Sequence, residues 1–247
     1  AAAQTPVPAS SADWAIFVVD EITVQLDEPA AGEPDPYIIP EGVGLFVHAA
    51  RAPDGSPVLA YYDRVNGDLK LARFDPATGM FAAPIVLDGA DADVGWYPSV
   101  AVDADGVAHV SYVSATTDDL MYVTDAPDAV PELVDSGYRI DGQTESGLPQ
   151  PVFHFVGDDS AIVLTNAGPV IAYQDATTHE LLLAQKNAAG NWEHQTVAGD
   201  EDPFAGGYGF YASGRFDGTQ VVLSNWVIDQ PNYDSWVEIH RVTVVVQ

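Results

Sequence analysis

A tyrosine followed eight residues later by a leucine occurs three times at nearly even intervals: Tyr61/Leu69, Tyr112/Leu120 and Tyr173/Leu181. Each pair sits in the same local pattern. A turn containing Gly55, Gly106 or Gly168 leads into an apolar run through the tyrosine, then a polar loop, then an alternating run that starts at the leucine. A looser fourth copy runs from Gly218 through Asn225 and Trp226 to Trp236. Alternation with period two marks half-buried strands, and Asp-Gly or Asn-x-Gly supplies the positive φ of tight hairpins. One more strand is expected before each pair, at residues 45–50, 97–102, 152–156 and 210–216. A more polar strand is expected after it, at 80–87, 132–135 and 192–197, and in the last unit either at 242–246 or borrowed from elsewhere. Matching the tyrosines, with Asn225 in the fourth place, gives periods of 51, 61 and 52 residues. The long second period, which leads into the third unit, is assigned to an insertion around Gly157, Asp158 and Asp159, with residues 160–165 as an extra strand.

Repeats of roughly 40 to 50 residues that each hold four antiparallel strands define a β-propeller. One four-stranded blade cannot bury both faces alone, whereas blades packed around an axis cover one another. A β-sandwich also recurs in short strands, but gives no reason for one tyrosine-to-leucine spacing to return three times. The fold expected is therefore all-β, a propeller of about four to five four-stranded blades. Its blade-like units fall at 44–89, 95–137, 147–199 and 206–246 within a single domain spanning 13–247, after a flexible segment at 1–12. Residues 14–27 hold two short strand candidates, and 28–44, with four prolines, reads as a loop. The stretch 14–20 resembles the closing strand at 192–197. It either completes the last blade by strand exchange or belongs to a preceding blade, the chain then being part of a larger propeller.

Hydrophobic residues make up 47% of the 247-residue chain, enough for an extended core. Acidic side chains number 37 against 8 basic ones, a net charge of −29 that repels nucleic acid and anionic membrane surfaces. The partners this charge admits are cations, proteins and neutral or cationic glycans. No apolar run approaches the roughly 18 residues that cross a bilayer, so membrane insertion is not expected. Cysteine is absent, which removes disulfides and thiol chemistry. Residues 1–12, rich in Ala, Ser, Pro and Thr, have no charged leader or long apolar stretch and read as a processed terminus or linker. Together with the acidity, this suggests a secreted, periplasmic or cell-surface protein.

The run from Tyr97 to Tyr112, Tyr-Pro-Ser-Val-Ala-Val-Asp-x-Asp-Gly-x-x-His-Val-Ser-Tyr, resembles the propeller repeats of exported bacterial proteins of the sialidase/BNR-like kind. The segments 75–81 and 187–192 resemble degenerate Asp-box turns, without that box's leading Ser and closing Thr-Trp. The resemblance spans about residues 44–241 as a repeat pattern and implies the propeller fold; no catalytic motif comes with it.

In a propeller the loops joining second to third strands share a face with the loops joining successive blades. Here both sets are dense in carboxylates. Asp88, Asp91, Asp93, Asp200, Glu201 and Asp202 are candidate ligands for Ca2+, which takes several converging oxygens. A glycosidase needs two carboxylates across a sugar, and Asp63, Asp175 and Glu180 are the candidates for that chemistry. The arginine cluster that sialidases require is missing. Trp96, Tyr97, Tyr138, Tyr208, Tyr211 and Tyr233 lie in or beside the same loops and are the candidate ligand-binding aromatics. His48, Ser99, His154 and Tyr211 fall at comparable places on first strands and read as satisfied polar residues lining a channel. The expected function is a non-catalytic extracellular recognition or structural module for a protein or glycan partner, with calcium as the candidate cofactor. The partner includes the remaining blades of a larger propeller or another subunit. The alternative is a carbohydrate-active hydrolase.

Overall fold

The computed structural model describes residues 16–22, 42–90, 92–199 and 206–244, and all regular elements among them are strands. Blade 1 holds β1 (Val43–Arg51), β2 (Pro57–Asp63), β3 (Asp68–Asp75), the short β4 (Met80–Phe81) and β5 (Ile85–Asp88). Blade 2 holds β6 (Val94–Val102), β7 (Ala108–Ser114), β8 (Asp119–Thr124) and β9 (Glu132–Asp135). A separate hairpin, β10 (Tyr138–Gln143) and β11 (Pro149–Phe153), precedes blade 3, which consists of β12 (Val156–Thr165), β13 (Gly168–Asp175), β14 (Glu180–Lys186) and β15 (Trp192–Ala198). Blade 4 shows β16 (Gly206–Phe216), β17 (Val221–Asp229) and β18 (Asp234–Val242). Every pairing is antiparallel. The first strands β1, β6, β12 and β16 adjoin in that order, so the blades stand side by side with their first strands innermost. This is a β-propeller arrangement.

The repeat now has a physical meaning. Tyr61 pairs with Lys70 and Tyr62 with Leu69, so the tyrosine and the leucine of each unit point to opposite faces of their blade. The leucine faces forward: Leu69 packs with Val94, Val100 and Val110 of blade 2 in one core cluster. The tyrosine faces backward. Leu120 and Tyr173 meet in the seam between blades 2 and 3, and Leu181 packs with Val221 and Leu223 in the seam between blades 3 and 4. Each hydrophobic core therefore lies between two blades, where a fully buried Leu or Val contributes about 1.5–3 kcal/mol.

The tyrosines carry a second function at their hydroxyls. Tyr112 donates to Asp88, the last residue of blade 1, at 2.5 Å, and Tyr173 donates to Asp135, the last residue of blade 2, at 2.7 Å. Tyr61 donates to Asp20 at 2.9 Å. Asp20 thus takes the place that the end of a preceding outermost strand takes at the other two seams. Where Asn225 replaces the tyrosine, Ala198 replaces the aspartate, and Asn225 turns to accept the Gly209 N–H at 3.0 Å.

Several sequence expectations change. The longer second period comes from the β10–β11 hairpin at 138–153 rather than from Gly157–Asp159, and residues 160–165 belong to the first strand of blade 3. Val152 and Phe153 end the hairpin instead of opening that blade. The closing strand of blade 1 is split by residues 82–84. Val242 ends the third strand of blade 4, and Val244 is buried in the seam core; 245–247 lie outside the described residues, as do Trp14 and most of the 22–27 and 28–44 segments.

Candidate functional site

Each first strand is interrupted twice in its register with the second, at the same place. The interruption begins with a glycine of positive φ and carries a second positive-φ residue two places on: Gly44 and Phe46 (φ 54°), Gly95 and Tyr97 (48°), Gly157 and Asp159 (50°), Gly209 and Tyr211 (52°). Bulges of this kind re-aim side chains. A bulky non-glycine residue in the left-handed region costs about 1–3 kcal/mol and persists only where its surroundings hold it. Four such residues at equivalent inner positions form an arc around the axis: three aromatic rings and one carboxylate.

The arc is continuous. The Phe46 and Tyr97 rings lie 4.4 Å apart, with Trp96 and Tyr62 behind them at 6.2 and 6.3 Å from Phe46. Asp93 fixes that cluster by accepting from the Tyr62 hydroxyl at 2.8 Å and Trp96 Nε1 at 3.2 Å. On the far side, Tyr211 stacks on Trp226 at 6.2 Å, and Phe210 packs against the same indole. Between the two aromatic groups stand Asp158 and Asp159. Asp159 Oδ2 accepts the Tyr211 N–H at 2.8 Å. Burial raises the Tyr97 phenol pKa, and Asp158, Asp159 and Tyr211 raise it further, so the four share one space. Tyr211 is 73% exposed and Phe46 40%.

Asp158 is the unusual acid of the arc. Burial pushes its carboxyl up to about 6, with the Asp159 charge adding to the effect. One of its oxygens is enclosed with no hydrogen-bond partner. The folded chain thus binds a proton between about pH 4 and 6 that an unfolded chain has released, so Asp158 makes stability fall as pH rises through that window. Asp158→Asn is expected to unfold later in urea near pH 7, by about 1 kcal/mol after discounting for partial exposure, with the advantage gone by about pH 4. No advantage at pH 7 would place the carboxylate in water.

The other candidates fall in different places. Trp96, Tyr97 and Tyr211 meet on the arc. Tyr208 is half-buried in the seam between blades 3 and 4, where its carbonyl accepts from Gln174 Nε2. Tyr138 lies out on the hairpin, edge-on to Phe153 at 5.6 Å. Tyr233 is 97% exposed at the β17–β18 turn, in the positive-φ position that Gly67, Asp118 and His179 fill in the other blades. That turn is capped by Asp229, which accepts from the Asn232 N–H and side chain.

Asp63 and Asp175 are buried turn caps. Asp63 accepts from Val65 N–H and Asn66 and pairs with Lys70 at 2.6 Å; Asp175 accepts from Thr177 and Thr178 N–H and meets His154 Nδ1 at 2.6 Å. Glu180 accepts from Thr178 at 2.7 Å. Asp88 and Asp93 are occupied by the tyrosine and tryptophan donors named above; Asp91, Asp200, Glu201 and Asp202 lie outside the described residues. Among the described residues no group of three or more His, Asp or Glu is arranged to hold a metal ion. His48 Nδ1 accepts the Val100 N–H at 3.0 Å, and Ser99 Oγ accepts the Ile162 N–H at 3.1 Å, which ties successive first strands together.

A concavity of about 470 Å3 opens away from the arc, at the outer rim between blades 2 and 3, beside Arg139, Trp192 and His194. The Arg139 fork is spent on Asp135, and Lys186 pairs with Glu132 over the Trp192 ring, so this cavity is framed by groups already joined to one another.

No protein-family model and no curated protein matches the sequence. Among solved structures, the chain is similar to an auxiliary nutrient binding protein from Bacteroides thetaiotaomicron at 14% identity and a TM-score of 0.43, covering 78% of this chain and 47% of that one. It is similar to a candidate exo-β-1,3-galactanase from Bifidobacterium bifidum s17 at 12% identity and a TM-score of 0.47, covering 81% and 67%. A GH43_1 enzyme from Xanthomonas citri matches at 14% identity and a TM-score of 0.39, covering 78% and 66%. The chain spans about half to two thirds of the length of these proteins.

Proposed function

We propose that this chain binds a carbohydrate on its axial face as a recognition module. The observation that supports the reading is the arc of Phe46, Tyr97, Asp159 and Tyr211, held in left-handed backbone at four equivalent inner positions. Exposed ring faces stack on sugar C–H surfaces, and a carboxylate among them accepts hydroxyl hydrogen bonds. An acidic exterior suits encounter with such ligands outside the cell, so export from a bacterium goes with this reading.

Calorimetric titration with oligosaccharides tests it. Tyr97→Ala and Tyr211→Ala are each expected to weaken binding about tenfold or more, as central aromatic anchors do, while Tyr233→Ala at the exposed turn leaves it unchanged. Equal losses from Tyr211→Ala and Tyr233→Ala would move the site off the axis.

A second reading is favoured by the Asp158 carboxyl at about 6, enclosed beside Asp159: a group that keeps its proton into mildly acidic solution serves as a general acid on a glycosidic oxygen there. Release of aryl alcohol from aryl glycosides, lost in Asp158→Asn, would select hydrolysis. Binding without release would leave recognition.

A further inference from the structure

The three fully buried carboxylates among the described residues each have a cationic or imidazole partner, and the half-buried Asp88 and Asp93 are met by tyrosine and tryptophan donors. Asp63 has Lys70, Asp135 has Arg139, and Asp175 has His154. The axial pair has none. The groups acting on Asp158 are its own burial and Asp159; those acting on Asp159 are burial and the Tyr211 N–H. The enclosed Asp158 oxygen has no donor. On both sides of this pair stand aromatic rings, Phe46 and Tyr97 on one and Tyr211 and Trp226 on the other.

Two uncompensated carboxylates between aromatic faces are the complement of an organic cation. The ring quadrupoles attract positive charge at their faces, and the carboxylates supply the counter-charge and the hydrogen-bond acceptors. A neutral sugar would satisfy the rings and leave the pair unbalanced. An acidic sugar would meet like charge at Asp158 and Asp159, on which no arginine or lysine acts.

We infer that the axial arc selects carbohydrate carrying a protonated amine over its neutral and acidic counterparts, an inference that rests on the carbohydrate reading above. The ammonium lies against Asp159 and Asp158, while the sugar ring that carries it stacks on Tyr211 or Tyr97.

The test uses three tetrasaccharide probes on the intact chain near neutral pH: a glucosamine oligomer, its N-acetylated counterpart and a uronic acid oligomer, followed by calorimetry and tryptophan fluorescence. The glucosamine oligomer is expected to bind at least about tenfold more tightly than the other two. Asp159→Asn, which keeps the shape and the acceptor for the Tyr211 N–H, should erase that preference without abolishing binding of the acetylated probe. Circular dichroism confirms that the variant folds. Equal or tighter binding of the acetylated or acidic probe overturns the inference and leaves the carbohydrate reading standing. Glucosamine binding that survives both Asp159→Asn and Tyr211→Ala and fades in high salt is attraction to the net charge, and also overturns it. No binding by any probe to the folded chain removes both readings.

Discussion

Asp135→Ala is expected to lower the free energy of unfolding by about 3 kcal/mol or more, because it breaks a buried pair and leaves its partners without their acceptor. Asp135 is buried at the end of β9, and both of its oxygens are used. Arg139 donates through Nη1 at 2.9 Å and Nη2 at 2.8 Å, Tyr173 donates at 2.7 Å, and the Gly137 N–H at 2.9 Å. His194 Nδ1 completes the cluster by facing the same tyrosine hydroxyl at 2.9 Å. Burial alone would raise the Asp135 pKa, but the hydrogen bonds from Arg139 and Tyr173 outweigh it and hold the carboxyl at about 2. A folded pKa below the ordinary 3.8 means that the contribution is complete above about pH 4 and is lost as pH falls towards 2, to the extent of about 2 kcal/mol. Asp135→Asn should therefore flatten the pH dependence of unfolding across that window, while Asp135→Ala shows the full loss at pH 7 in urea melts. A cost below about 1 kcal/mol for the alanine variant would mean that the seam closes without its polar tie.

The second large effect comes from a glycine. Gly95 has φ +99°, and a Cβ there would sit 2.8 Å from the Leu69 Cα of the preceding blade. Gly157 makes a similar approach one seam on, where a Cβ would meet the side chains of Val113 at 2.9 Å and Leu120 at 3.1 Å. The repeat leucine and the bulge glycine are thus two sides of one close approach between blades. Gly95→Ala carries both the backbone strain and the displacement of main chain, and is expected to cost about 3 kcal/mol or more or to prevent folding. Gly44 tests the cause, because its φ is +92° but no atom lies within 4 Å of the added methyl. Gly44→Ala should lose only about 1 kcal/mol. Equal losses in thermal unfolding would show that dihedral strain alone, and not blade contact, demands the glycine.

The strand order and blade repeat were legible because seam packing repeats: one tyrosine and one leucine per unit, on opposite faces, leave a fixed spacing in the chain. The β10–β11 hairpin was misplaced because it lacks that spacing, and residues 152–156 are apolar enough to pass for a first strand. Of the axial arc, Trp96, Tyr97 and Tyr211 were visible as aromatics near loops, but Tyr138 and Tyr233 looked the same and sit elsewhere. Exposure depends on the bulge, which aromatic content does not encode. Asp158 and Asp159 were passed over as insertion. The signal that places them is the glycine before them, since Gly44, Gly95, Gly157 and Gly209 recur with nearly the tyrosine periods. Asp63 and Asp175 drew attention through repetition, and their repetition reflects turn capping.

The joints between blades are of two kinds, and this limits how the blades can be reordered. A blade carrying the second-strand tyrosine must follow a segment that ends in aspartate, as Tyr61 follows Asp20, Tyr112 follows Asp88 and Tyr173 follows Asp135. Blade 4, with Asn225, follows Ala198. Exchange of blades 2 and 3 as modules strands Asp135 against Asn225 and leaves Tyr112 facing Ala198 where its aspartate should be. The repeat looks interchangeable along the chain, yet its paired residues act as matched plugs and sockets that write the order of assembly into the junctions themselves.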